Sequence, residues 1–95
     1  ILSEEMLGEV ADKGRYLRNA IEAMTLPSLG PTRGLGLMIG IEVKPGHTNR
    51  EIAERLMENG LLVLTAGPAI RLLPPLTITK DEMDKGLAIL KQTLA

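Results

Sequence analysis

The sequence contains no cysteine, phenylalanine or tryptophan, and its 95 residues include one tyrosine and one histidine. The absence of cysteine excludes disulfides and thiolate-ligated metals within this chain, and it fits a reducing compartment such as the cytoplasm. The single histidine, His47, lies in a Pro-Gly turn, where we expect it to be solvated and to build neither a metal site nor a nucleophile triad. The core must be almost wholly aliphatic. So few large rings in so small a unit indicate that something outside the chain covers part of its apolar surface.

An excess of charge of one sign is also missing, because 11 Lys and Arg residues face 12 Asp and Glu residues. This balance gives no electrostatic basis for binding nucleic acid or an anionic membrane. No apolar run approaches the roughly 18 to 20 residues that span a bilayer, and no signal peptide opens the sequence. We therefore expect one soluble, cytoplasmic domain over residues 1–95. Because the chain begins at Ile1, directly before a predicted helix, we expect a piece of a longer protein.

Three amphipathic helices are predicted. The first covers residues 3–24, with Ser3 as the N-cap residue. The second and third begin at Thr48 and Thr79, each of which starts a Thr-x-x-Glu capping box. The apolar stripe of the third helix consists of Met83, Leu87, Leu90 and Leu94.

The remaining segments predict strands and turns. Apolar residues at every second position predict a single strand over residues 33–43. Residues 61–64 and 69–73 predict a hairpin, whereas the proline and glycine content of residues 26–32 predicts a connection without regular structure. The order is therefore α-β-α-β-β-α. It favours an α+β fold in which helices cover one face of a small three-stranded sheet.

Arg71 is the most informative single residue, because it stands in the apolar run of residues 69–76 just before Pro74 and Pro75. A guanidinium buried among aliphatic side chains requires an anionic partner, and its planar fork fits a carboxylate. The two prolines should end the strand that carries it. Arg71 therefore either pairs with a neighbouring Glu for structure alone or binds a carboxylate from outside the segment.

No catalytic centre can be assembled from the other polar residues. The glycines of residues 34–40 lie in a strand pattern and do not open a helix, so they do not form a phosphate-binding loop. The acidic residues of the second helix lie on a solvated face, and none of the lysines occupies the apolar setting that a Schiff-base enzyme requires. The sequence predicts neither catalytic residues nor metal ligands within this chain.

Several motifs in order carry a family resemblance: residues 33–42 (RGLGLMIGIE), residues 59–63 (NGLLV) after a helix, residues 70–76 (IRLLPPL), and a last helix starting on residues 79–84 (TKDEMD). Together they resemble the C-terminal small domain of the class-III pyridoxal-phosphate aminotransferases, and most closely that of the acetylornithine aminotransferases. The resemblance extends over essentially all 95 residues. It implies the small domain of a fold-type I transferase.

The resemblance also implies a division of labour within the whole enzyme. Pyridoxal 5'-phosphate would be held by a large domain that is missing here, so this chain alone would bind no cofactor and would be inactive. Arg71 matches the arginine of the family's Arg-Leu-x-Pro-Pro motif, which is positioned to hold a substrate carboxylate or, in ω-amino transaminases, to pair with a large-domain Glu. Arg33 is assigned no ligand. The parent would be a homodimer that transfers the amino group of N-acetylornithine to 2-oxoglutarate in arginine biosynthesis.

Two alternatives remain open. Ornithine, succinylornithine and 4-aminobutyrate transaminases share this small-domain pattern, and most of their substrate selection belongs to the large domain. The second alternative is a free-standing α+β regulatory or interaction module. That alternative predicts a covered core, whereas a piece of a transaminase should expose an apolar face.

Overall fold

A computed structural model describes residues 3–95, which form three helices and one antiparallel sheet of four strands in the order β1-β2-β4-β3. The elements are α1 (Glu4–Ala23), β1 (Leu29–Leu35), β2 (Met38–Val43), α2 (Asn49–Glu58), β3 (Leu64–Ala66), β4 (Ala69–Leu72) and α3 (Lys80–Leu94). α1 packs on β1 and β2, α2 packs on β3 and β4, and α3 contacts both of the other helices. This arrangement confirms the α+β class.

The helices begin where the capping residues predict. Ser3 accepts a hydrogen bond from the backbone N–H of Met6, and Thr48 accepts one from Glu51. The capping box of α3 is complete, because the Thr79 hydroxyl accepts from the Glu82 N–H while the Glu82 carboxylate accepts from the Thr79 N–H. These bonds satisfy backbone donors that have no partner inside the helix.

The core lies between the sheet and the helices. Ile39, Ile41 and Ile70 alternate with exposed or half-exposed residues along β2 and β4, and all three have an exposed fraction of 0%. The predicted stripe of α3 is confirmed, because Met83, Leu87, Leu90 and Leu94 are all buried. One face of the sheet is thus covered by helices, and the opposite face, which we call the open face, is not.

The single strand predicted for residues 33–43 is wrong. It is a hairpin in which β1 and β2 are joined by a two-residue turn at Gly36 and Leu37, with Leu35 paired opposite Met38. The turn reverses the chain without breaking the alternation of apolar residues, so the sequence pattern continues through it. Leu35 therefore lies away from the core, with an exposed fraction of 87%.

The predicted count of three strands is corrected to four. β1 starts at Leu29, inside the predicted connection, and its Pro31 is tolerated because β1 is an edge strand. A register shift between Leu29 and Thr32 accommodates this segment. The predicted hairpin of β3 and β4 is present, but β3 begins at Leu64 and not at residue 61.

A close backbone approach joins α1 to the turn between β1 and β2. A Cβ atom on Gly14 would lie 2.0 Å from the carbonyl oxygen of Gly36, and Gly36 itself has a φ of +59°. Glycine at both positions therefore fixes the distance between helix and hairpin. Gly8, on the same helix, makes no such approach, because nothing in the described chain lies within 4 Å of a Cβ built there.

Candidate functional site

The open face carries a transverse row of four residues, one from each strand. Arg33 on β1 pairs with Gly40 on β2, Gly40 pairs with Arg71 on β4, and Arg71 pairs with Leu64 on β3. Paired residues share a face of the sheet, so both guanidinium groups belong to the same surface. The two arginines are the basic residues of the four strands.

Arg71 is exposed, which corrects the expectation that it is buried in an apolar run. Its neighbours Ile70 and Leu72 are both buried, because alternation along β4 directs them to the helices and leaves Arg71 on the open face. Within residues 3–95, no carboxylate lies within 4 Å of its guanidinium nitrogens. The structural alternative, a local Glu partner, therefore has no support.

Arg33 differs from Arg71 in having a partner. Its guanidinium donates to the Glu42 carboxylate at an N–O distance of 2.8 Å, and the side chains of Arg33 and Glu42 are 76% and 46% exposed. Sequence reasoning missed this pair. A strand with period two across residues 33–43 would have placed Arg33 and Glu42 on opposite faces, and only the hairpin brings them to the same face.

Gly40 leaves a gap between the two arginines. A Cβ atom at this position would have Arg33 O, at 3.9 Å, as its one close neighbour in the described chain. The space is therefore open toward the surface. Adjacent strands are separated by about 5 Å, so the backbones of Arg33 and Arg71 lie about 10 Å apart across this gap.

Apolar surface adjoins the row. A groove of about 470 Å³ lies between the first half of α1, the β1–β2 turn and the segment that follows β4. It is lined by Leu7, Val10, Ala11, Leu35, Gly36, Leu37, Met38, Leu73, Pro74 and Leu76. The exposed fractions of five lining residues are 45% or more: Leu7, Leu35, Met38, Leu73 and Leu76. A second cavity, of about 340 Å³, lies beneath the two prolines and beside α3.

Comparison with known protein families shows which family this chain resembles in sequence. The family described as aminotransferase class-III matches residues 1–94. The chain belongs to this family. In the class-III aminotransferases, pyridoxal phosphate carries the amino group, and the protein binds and orients the reactants around it.

The similarity covers only part of each class-III relative. An acetylornithine aminotransferase of Bacillus subtilis (strain 168) is 48% identical over 97 residues. The match covers 100% of this chain and 25% of that protein. An ornithine aminotransferase of Staphylococcus epidermidis (strain ATCC 35984) is 38% identical over 96 residues, again covering all of this chain and 24% of the relative. The chain thus spans about a quarter of the length of the relatives it matches.

Solved structures of class-III enzymes have the same fold over this segment. The crystal structure of N-acetylornithine aminotransferase from Stenotrophomonas maltophilia K279a has a TM-score of 0.85 and 29% identity. It covers 96% of this chain and 26% of its own. The ornithine aminotransferase of Plasmodium yoelii has a TM-score of 0.82 and 30% identity, covering 95% of this chain and 25% of its own.

The residues of this class-III chain do not fit the cofactor. Neither the groove nor the cavity is lined by a lysine. Lys44, Lys80, Lys85 and Lys91 are exposed, and the ammonium of half-buried Lys13 donates to the carbonyl oxygen of Leu76 at 3.0 Å. The open face of this class-III chain therefore displays two guanidinium groups beside apolar side chains.

Other sequence-predicted positions lie away from the open face. His47 is exposed in the turn between β2 and α2. Over residues 3–95, no three metal-ligating side chains are grouped so that they could hold an ion. In the same part of the chain, no helix is both long enough and apolar enough to cross a membrane.

Proposed function

We propose that residues 1–95 are the C-terminal small domain of an aminotransferase that transfers the amino group of N-acetylornithine to 2-oxoglutarate. The products are N-acetylglutamate semialdehyde and glutamate, in arginine biosynthesis in the cytoplasm. In this proposal a large domain of the same chain holds pyridoxal phosphate, and the complete enzyme is a homodimer. The observation that carries the proposal is the Arg71 guanidinium, which is displayed on the open face without an acidic partner in the described chain.

Arg71 binds a substrate carboxylate in this proposal. Two parallel hydrogen bonds from one guanidinium fix both the position and the orientation of a carboxylate, and so direct the rest of the substrate. β4 is a central strand, paired on one side with β2 and on the other with β3. A binding residue on a central strand is held more rigidly than one on a loop.

Closure of the large domain over the open face would strengthen this contact. Arg71 is now solvated, and a solvated ion pair contributes little free energy. Covering the face removes water, which strengthens charge interactions and excludes side reactions. The apolar groove beside the row supplies surface for that domain contact. Without the large domain, we expect the 95-residue chain to be inactive.

A second candidate function is ornithine transamination, because relatives named ornithine aminotransferase are also similar to the whole chain. Succinylornithine and 4-aminobutyrate transaminases remain candidates on the family pattern. All of these keep the carboxylate role of Arg71, so the amino donor must be assigned with the full-length enzyme. A free-standing regulatory module is disfavoured by the extent of exposed apolar surface.

The test replaces Arg71 in the full-length enzyme. We expect Arg71→Ala to raise the KM for 2-oxoglutarate and for glutamate by at least about tenfold, because a bidentate charged contact is lost. Arg71→Lys keeps the charge but not the fork, so it should recover only part of the loss. Arg50→Ala is the matched control, since Arg50 is also exposed but pairs with Glu54 on α2. Single-turnover kinetics with unchanged affinity for both dicarboxylates in Arg71→Ala would reject the proposal.

A further inference from the structure

Glu42 occupies a position that is diagonal to both arginines of the row. Gly40 is paired with Arg33 on one side and with Arg71 on the other, and Glu42 lies two residues further along β2. Diagonal neighbours in an antiparallel sheet lie about 7–8 Å apart, within reach of long side chains. Glu42 is also the acidic residue of the four strands. It can therefore contact either arginine, and in this structure it holds Arg33.

We propose that Glu42 is a positioning residue that assigns different roles to the two arginines: by neutralising Arg33, it leaves Arg71 to bind a single carboxylate group. This inference rests on the proposed carboxylate role of Arg71, and it extends that role to specificity. It gives Arg33 a function as well, because Arg33 holds the Glu42 carboxylate away from Arg71.

The charges across the row explain why both members of the pair are needed. Without Arg33, the Glu42 carboxylate would have Arg71 as its remaining cationic neighbour on the strands, and it would compete with the substrate. Without Glu42, the Arg33 guanidinium would be a second unpaired cation beside that of Arg71. The backbones of the two arginines lie about 10 Å apart, with only Gly40 between them. Such a row would favour a ligand with a carboxylate at each end. The pair thus limits the row to one carboxylate at a time.

The experiment measures the binding of two inert probes to the full-length enzyme with its cofactor. Glutarate and pentanoate both have five carbons, but glutarate has a carboxylate at each end and pentanoate has one. Neither probe carries the oxo or amino group that transamination requires. Their dissociation constants are measured by calorimetry in the parent enzyme and in Arg33→Gln, Glu42→Gln, the double variant and Arg71→Ala.

We expect the two single variants to change binding in opposite directions. Arg33→Gln should raise the dissociation constants of both probes by about threefold or more, because the released Glu42 carboxylate pairs with the Arg71 guanidinium. Glu42→Gln should lower the dissociation constant of glutarate by about threefold, because the Arg33 guanidinium becomes available to its second carboxylate. The dissociation constant of pentanoate should not change. The double variant should return both constants to those of the parent. A purely structural role for the pair would shift both single variants in the same direction and would show no such rescue.

The outcomes separate this inference from the proposed function. If Arg71→Ala weakens both probes, but Arg33→Gln or Glu42→Gln leaves its constants unchanged, the role of Glu42 is wrong while the role of Arg71 stands. If Arg71→Ala changes neither probe, the proposed function fails, and the inference fails with it. If Arg33→Gln and Glu42→Gln change the dissociation constant of glutarate in the same direction, the inference is also wrong.

Discussion

Glu22, near the end of α1, is the acidic residue whose contacts most clearly join two elements. Its carboxylate accepts a hydrogen bond from the Thr32 backbone N–H at 3.1 Å and another from the Thr32 hydroxyl. The hydroxyl bond, followed by the backbone bond, lowers the pKa of Glu22 below its ordinary value of 4.5. Both bonds favour the ionised carboxylate. They tie the end of α1 to the edge strand β1.

The pKa shift of Glu22 predicts how its contribution to stability depends on pH. A carboxylate whose pKa is lower in the folded state stabilises the fold above its unfolded pKa, and it loses this effect as the pH falls through 4.5 and then through the folded pKa. We therefore expect Glu22→Gln to lower the free energy of unfolding at pH 7 and to have a smaller effect at pH 3. Urea denaturation of the 95-residue chain at both pH values measures the difference.

Thr32→Val provides the control for Glu22, because it removes the hydroxyl donor but keeps the backbone donor. In this background, the pH dependence of the Glu22→Gln effect should be reduced. An effect of Glu22→Gln that is equal at pH 7 and pH 3 would contradict the assignment of the pKa shift to Thr32.

Helix α1 carries a matched pair of glycines that report on its packing. A Cβ atom on Gly14 would lie 2.0 Å from the Gly36 carbonyl oxygen, whereas a Cβ atom on Gly8 would meet no atom of the described chain within 4 Å. Backbone atoms cannot move aside as a flexible side chain can. Gly14→Ala must therefore displace α1 from the β1–β2 turn, and Gly8→Ala need not.

We expect the two substitutions to have opposite effects on the free energy of unfolding. Gly8→Ala should stabilise the 95-residue chain by about 1 kcal/mol through helix propensity alone. Gly14→Ala gains the same propensity but should be destabilising by about 2 kcal/mol net, in the range of overpacked sites. Urea denaturation of both variants measures the pair. Equal stabilisation by the two substitutions would contradict a close backbone approach between α1 and the β1–β2 turn.

The helices of this fold are predictable from the sequence because their signals are local. Thr48 and Thr79 begin α2 and α3 as their capping patterns indicate, and the apolar stripe of α3 is buried as its spacing indicates. Hydrogen bonds within one turn, and side chains three or four residues apart, need no knowledge of the rest of the chain.

The strands were harder to predict, because their ends depend on partners that are distant in sequence. Alternation continues through Gly36 and Leu37, so periodicity alone cannot locate the turn between β1 and β2. Pro31 is compatible with a strand only because β1 lies at an edge of the sheet, and strand order is a property of the whole fold.

The candidate site was predicted in part. The apolar run around Arg71 predicts a buried guanidinium, whereas the open face leaves Arg71 exposed. The pairing of Arg33 with Glu42 could not be predicted from a single strand. It depends on the hairpin, which places the two residues on adjacent strands.

At the scale of the whole molecule, the main feature is that residues 3–95 leave one face of the sheet without a second layer. The open face and the groove beside it display several large aliphatic side chains, and isolated domains rarely leave so much contiguous apolar surface uncovered. The chain spans about a quarter of the length of its relatives, so the remainder of such an enzyme is long enough to cover this face. The groove is the part of the surface that we expect to be buried in the complete enzyme.

Two methionines allow this expectation to be tested with matched substitutions. Met38 and Met57 have the same exposed fraction, 56%, but Met38 lines the groove and Met57 lies on α2 outside it. The 95-residue chain should bind a hydrophobic fluorescent dye, because the groove offers a contiguous apolar site. Met38→Gln should lower the dye fluorescence clearly, and Met57→Gln should change it little. Circular dichroism of both variants checks that the fold is retained. Equal loss of fluorescence in the two variants would show that the dye binds scattered side chains. The expectation that the rest of the enzyme covers the groove would then be wrong.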